Sequence, residues 1–98
     1  MNINKQVDRE KLTLVLEGRL DTTTAPRLEA ELKTSLNNIT ELEMDFTGLE
    51  YLSSAGLRVI LVAQKIMNKQ GKMIIKNVNS MIMEIFEVTG FVDILTIE

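Results

Sequence analysis

Residues 51 to 61 read YLSSAGLRVIL. Two adjacent hydroxyls, Ser53 and Ser54, follow an apolar pair and precede the small residues Ala55 and Gly56. Serines at such a junction support two kinds of chemistry. One is N-capping, in which the side-chain oxygen accepts a backbone N–H of the first helical turn and contributes about 1 kcal/mol. The other is display of a hydroxyl for phosphorylation. A phosphoryl group on Ser54 would bring roughly 1.5 to 2 negative charges to the start of a helix, where the free N–H groups and the dipole favour an anion. The fold would accept that charge. A partner packed against Tyr51, Leu52 or Leu57 would not, because it must desolvate the phosphate or meet it with an acidic surface. Spacing alone leaves both readings open and favours the cap.

Other chemistries at this loop lack their parts. Gly48 and Gly56 flank it, but the Lys-Ser/Thr ending of a nucleotide phosphate loop is absent. A nucleophile elbow needs a Gly-x-Ser-x-Gly turn and a base. The chain has no histidine and no cysteine, which excludes a Ser-His-Asp triad, a thiol nucleophile and the usual zinc sites. Asp21 and Asp45 are two loop-proximal carboxylates, and two carboxylates without a supporting pattern do not specify a metal. Asp21, followed by Thr22, Thr23 and Thr24, either caps the next helix or organises the turn, or else orients the Ser54 hydroxyl or shapes a partner contact. Asp45 is expected near the serine loop as a further polar neighbour, and Thr47 is expected to hold that loop by a local side-chain bond. No catalytic residue, metal or cofactor is assigned.

The composition sets the class. The 98 residues are 45% hydrophobic and 26% charged, with a net charge of -3. That is one domain's worth of chain with a core but little stability to spare. Charges are scattered and only four residues are aromatic, so neither the basic footprint nor the stacking platform of a nucleic-acid binder is present. No apolar run approaches the roughly 18 residues of a membrane span, and MNINKQVDREK lacks a signal-peptide core. A soluble, cytoplasmic protein is expected.

The elements that must position the serines follow from periodicity. Ile3 to Val7 reads as a weak strand, with a turn at DREK, residues 8 to 11. KLTLVLEGRL, residues 11 to 20, alternates as a strand that Gly18 closes. After DTTTAP, the spacing of Leu28, Leu32, Leu36 and Ile39 predicts an amphipathic helix from Ala25, ended by NNIT. ELEMDF, residues 41 to 46, is a third strand, and TGLEYLSS, residues 47 to 54, a connecting loop. A largely buried helix follows over 54–70, stopped by Gly71. KMIIKNV, residues 72 to 78, reads as a strand, and a helix capped by Asn79 or Ser80 runs to Gly90. FVDILTIE is a short strand or packed tail. The order β-β-α-β-α-β-α implies an α/β fold, a mixed sheet covered by helices. Loops after strand ends carry function in such folds, which here means TGLEYLSSAG and GRLDTTTAP.

EGRLDTTTAP, MDFTGLEYLSSAGLRVIL and MIMEIFEVTGFVDIL occur in this order. On these stretches the whole chain resembles a bacterial STAS domain, specifically a single-domain anti-sigma factor antagonist. The resemblance implies that the serine two residues before the motif glycine, Ser54, accepts phosphate from an anti-sigma factor that is also a serine kinase. The unphosphorylated form would bind that kinase and free a sigma factor; phosphorylation would release it and a phosphatase restore it. ATP, Mg²⁺ and the base would belong to the partner, so this chain is a substrate and not an enzyme. The expected partner surface comprises Asp21, Thr22, Tyr51, Leu52, Ser53, Ala55, Gly56, Leu57 and Arg58. The chain departs from switching members of the family in carrying Ser53 where they carry aspartate, which makes Ser53 a cap or a secondary acceptor. The alternative of a different class is a constitutive STAS scaffold module in a transporter or stress-signalling complex. A nucleotide or small-ligand binder is a third class, recognisable by ligand-dependent melting.

Overall fold

A computed structural model describes all residues, 1–98. Strand β1 (Asn2–Asp8) turns through Arg9 and Glu10 into β2 (Lys11–Leu20). Arg9 takes a left-handed φ of 57°, so the DREK turn forms without glycine. Helix α1 (Ala25–Ser35), β3 (Glu41–Leu52), α2 (Ser54–Gln70), β4 (Lys72–Lys76) and α3 (Ser80–Val88) follow, then a 3₁₀ turn at Phe91–Asp93. The sheet order is β1-β2-β3-β4. The hairpin β1–β2 is antiparallel and the pairs β2–β3 and β3–β4 are parallel. The expected mixed α/β architecture is the observed one.

Period-two patterning decides which face the helices cover. Leu12, Leu14 and Leu16 on β2, Leu42, Met44 and Phe46 on β3, and Ile75 on β4 are all fully buried. They face Leu28, Leu32, Ile60, Ala63, Met67, Ile82 and Phe86 of the helices in one core. The intervening Lys11, Thr13, Val15, Glu41, Glu43 and Asp45 are half-buried on the other face. Two parallel crossovers of one hand place α1 and α2 on the same side.

Four boundaries differ from the sequence reading. The largest is β3, which continues through Leu52, so TGLEYL is strand and not loop. Its pairing with β2 slips between Val15 and Glu17 and again between Gly18 and Arg19, each time with an extra residue on β3. The buried positions there become Phe46, Leu49 and Leu52. Bulges convert the interval from two to three and erase the alternation that marks a strand. Gly18 does not close β2; it sits in the second irregularity with φ 97° and the strand runs on to Leu20. Helix α1 ends at Ser35, with Leu36 as its C-cap and Asn38 at φ 65° turning the chain. Leu36 and Ile39 stay buried past the helix end. Strand β4 ends at Lys76, where Asn77 takes φ 60°. The tail bridges β4 at Ile75 and Ile97 in parallel, so it closes part of that sheet edge.

Candidate functional site at the β2 and β3 ends

The two bulges bring the ends of β2 and β3 level, with Arg19 opposite Tyr51 and Leu20 opposite Leu52. The Ser53 N–H donates to the Leu20 carbonyl at 2.9 Å, extending the ladder to the first residue outside β3. The chain then turns directly into α2. Ser53 is the N-cap, at φ −92° and ψ 174°. Its Oγ accepts the Gly56 N–H at 3.3 Å, and its carbonyl accepts the Leu57 N–H at 2.9 Å. Capping therefore belongs to Ser53.

Ser54 is the first helical residue and is exposed. Its hydroxyl makes no hydrogen bond within the chain. The second serine is thus left free by the first, at a helix start with no acidic residue in the first turn. Gly56 is buried beneath this turn. A Cβ there would lie 2.7 Å from Leu52 Cδ1, 2.8 Å from Leu20 Cγ and 3.0 Å from the Leu20 carbonyl oxygen. Glycine is what lets α2 start flush against the strand ends.

Asp21 closes its own turn. Its Oδ1 accepts from the Thr23 and Thr24 N–H groups at 3.0 and 3.1 Å and from the Thr23 hydroxyl at 2.7 Å. The Thr24 hydroxyl donates to the Arg19 carbonyl and accepts the Asp21 N–H, both at 2.8 Å. The Thr23 hydroxyl, with the two backbone N–H groups, holds the Asp21 carboxyl below its ordinary value against the opposing effect of burial. No bond joins Asp21 to Ser54. Of the local roles expected for Asp21, organising the turn is the one its contacts perform. The Ser53–Leu20 bond sets this turn beside the serines.

Of the remaining residues expected at a partner surface, Thr22 and Arg58 are exposed, while Tyr51, Ala55 and Leu57 are half-buried. Leu52 and Gly56 are buried and shape the site from beneath. Asp45 lies elsewhere. It pairs with Lys76 within the sheet, roughly 20 Å back along β3 at strand rise. Its Oδ1 accepts from the Thr47 N–H at 2.9 Å, the Thr47 hydroxyl at 2.6 Å and the Asn77 amide at 3.0 Å. Asp45 is therefore no neighbour of the serines, and Thr47 ties down Asp45 and not the loop. No three acidic side chains gather into a metal-binding group.

Arg19 was not singled out by the sequence. Its guanidinium lies 4.1 Å from the Tyr51 ring centroid, and its Nε is 3.7 Å from Asp21 Oδ2. The cation-π contact links the ends of β2 and β3. Only the bulged register puts these residues opposite each other, so no signal in either segment read alone could have found the pair.

The STAS domain family profile matches residues 2–98. The chain belongs to the STAS domain family. This STAS domain is 34% identical over 88 residues to BtrV of Bordetella bronchiseptica, assigned as an anti-sigma factor antagonist, covering 88% of this chain and 76% of BtrV. It is 28% identical to the anti-sigma-B factor antagonist of Listeria monocytogenes, covering 100% of this chain and 90% of that protein. The phosphorylated form of the Bacillus cell fate determinant SpoIIAA shares its fold, with a TM-score of 0.78 at 20% identity over 99% of this chain and 91% of that one. The homology of this STAS domain is thus that of the anti-sigma factor antagonists, a regulatory and non-catalytic family. No helix is long and apolar enough to cross a membrane.

Proposed function

We propose that this STAS domain is a cytoplasmic anti-sigma factor antagonist whose binding to an anti-sigma factor serine kinase is switched by phosphorylation of Ser54. The observation that carries the reading is the division of labour between the serines. Ser53 caps α2, and Ser54 presents an exposed, unbonded hydroxyl one residue later. In the transfer, Ser54 Oγ attacks the γ-phosphorus of a nucleoside triphosphate held by the kinase. The bond from that phosphorus to the β,γ-bridging oxygen breaks, the nucleoside diphosphate leaves, and the hydroxyl proton passes to a base of the kinase. This chain supplies only the acceptor and its placement.

The unphosphorylated protein docks through the Ser54 turn, the first half of α2 and the Asp21 turn. Phosphorylation places a strongly hydrated anion in that surface and releases the partner; a phosphatase restores it. The names carried by BtrV and the Listeria relative support this reading, as does the existence of SpoIIAA in a phosphorylated form. The test is incubation with ATP and an anti-sigma factor serine kinase from the same organism, followed by phosphosite mapping and binding measurements. Ser54→Ala is expected to bind the kinase and accept no phosphate, and Ser54→Asp to fold normally but bind at least about tenfold more weakly, the effect of losing roughly 1.4 kcal/mol. Stoichiometric labelling of Ser54→Ala would overturn the assignment.

A further inference from the structure

The first two turns of α2, Ser54 to Leu61, contain one charged residue, Arg58. It stands four residues after Ser54 and, like it, is exposed. Residues four apart lie on one helical face with Cβ atoms about 6 Å apart, and an anion ahead of a cation is the favourable order. Helical side chains also slant toward the N-terminus, so the long Arg58 side chain is within reach of the turn that holds Ser54. Ala55 and Gly56 add little bulk between them.

Arg58 is uncommitted in the unphosphorylated protein. It takes part in no ion pair. The other arginine of this edge, Arg19, is engaged by the Tyr51 ring and by Asp21. Asp21, paired with Arg19 on that edge, is itself a negative charge and offers a phosphoryl group no attraction. A dianion on Ser54 therefore meets one free cation, on its own helix.

We propose that Arg58 is the intramolecular receptor of the phosphoryl group on Ser54, so that phosphorylation draws this guanidinium back over the first turn of α2 and removes it from the surface a partner reads. The planar fork suits two phosphate oxygens at once. The Ser54 and Ala55 N–H groups, left over after Ser53 takes those of Gly56 and Leu57, face the same group from below. Phosphorylation then changes two features of the docking surface, a hydroxyl that becomes an anion and a cation that is withdrawn. This inference rests on Ser54 as the acceptor.

The test installs phosphoserine at position 54 during translation of the full chain, so it does not depend on any kinase. The phosphorus resonance is titrated in the wild type, Arg58→Gln and Arg58→Lys. The second phosphate ionisation, ordinarily near pH 6, is expected about half a unit lower in the wild type than in Arg58→Gln, as for a charge-assisted contact on an exposed helix. Arg58→Lys is expected to fall between, because an ammonium lacks the bidentate fork. Melting of the phosphorylated form is expected to rise above that of the unphosphorylated form by more in the wild type than in Arg58→Gln. Superimposable phosphorus titrations of the wild type and Arg58→Gln overturn the proposal. Kinase labelling of the wild type that maps to Ser53 overturns the Ser54 assignment instead, and the installed phosphoserine separates the two failures.

Discussion

At the scale of the residue, two chemically identical side chains one position apart do different work because only one of them is outside the helix. Ser53 has extended backbone angles, which aim its Oγ at the Gly56 N–H. Ser54 already has helical geometry and points its hydroxyl to solvent. The resemblance pointed to Ser54 as the acceptor, but spacing alone could not apportion the roles, since a cap is defined by backbone angles that one position's shift would reverse. The apportionment has a stability signature. Ser53→Ala is expected to cost about 1 kcal/mol in urea unfolding, whereas Ser54→Ala is expected to stay within about 0.5 kcal/mol of the wild type, as for an exposed site without bonds. Equal losses at the two positions would contradict the division. The aspartate missing before Ser54 is explained in the same terms: at position 53 either serine or aspartate can cap a helix.

At the scale of the element, the site is set by how closely α2 approaches the ends of β2 and β3. Helix propensity alone would favour Gly56→Ala by about 1 kcal/mol. Its Cβ would press on Leu20 and Leu52 at under 3 Å, and both are buried too deeply to swing aside. Overpacking of that kind costs about 1 to 3 kcal/mol. A net loss of stability is expected, with slower phosphorylation of Ser54 because the turn is lifted; faster labelling in a variant as stable as the wild type would refute the argument. Gly71 makes a comparable approach at the other end of α2. A Cβ there would sit 1.8 Å from the Thr40 carbonyl oxygen, whose place is held by the Lys72 N–H. The sequence marks Gly71 as a helix stop; the structure adds that it is the contact between α2 and the start of β3. Strand β3 itself shows where a local pattern fails. Its first half alternates and was legible; its second half, after the slip at Thr47, was not.

At the scale of the whole molecule, charge is organised by the sheet. On the face away from the helices, Lys11 lies 3.3 Å from Glu41 and 3.4 Å from Glu43, Lys72 lies 3.4 Å from Glu41, and Lys76 lies 3.3 Å from Glu43. Such exposed pairs individually contribute little. Their collective mark is on pH dependence. Glu41 is held below the ordinary carboxylate range by Lys11 and then Lys72, Glu31 by the Ser35 hydroxyl and then Lys5, Asp45 by the Asn77 amide and then Thr47, and Asp21 by the Thr23 hydroxyl. A lowered folded value means that the unfolded chain takes up protons first as pH falls. This stabilisation is fully present above the ordinary range, near pH 4, and is lost as pH falls through the lowered values. Lys11 is raised by the Glu41 and Glu43 contacts, so its contribution is present below the ordinary lysine range and lost as pH rises through the raised value. With no histidine in the chain, the urea midpoint is expected to be level between about pH 6 and 8 and to fall below about pH 4. Asp45→Asn is expected to flatten part of that fall; a midpoint that holds to pH 3 in the wild type would contradict the account.

The sequence by itself determined the order of elements, the buried faces of β2, of the first half of β3 and of α1, and the two strand-to-helix connections that hold Asp21 and the serines. These depend on periodicity and on turn residues, which are local properties that each segment carries alone. The tertiary structure decided the register of β2 against β3. From that register come the strand nature of residues 47–52, the Arg19–Tyr51 contact, the removal of Asp45 from the site and the seat of Gly56 against Leu20. Register is a joint property of two strands. A bulge costs either sequence nothing recognisable and shifts every neighbour that follows it.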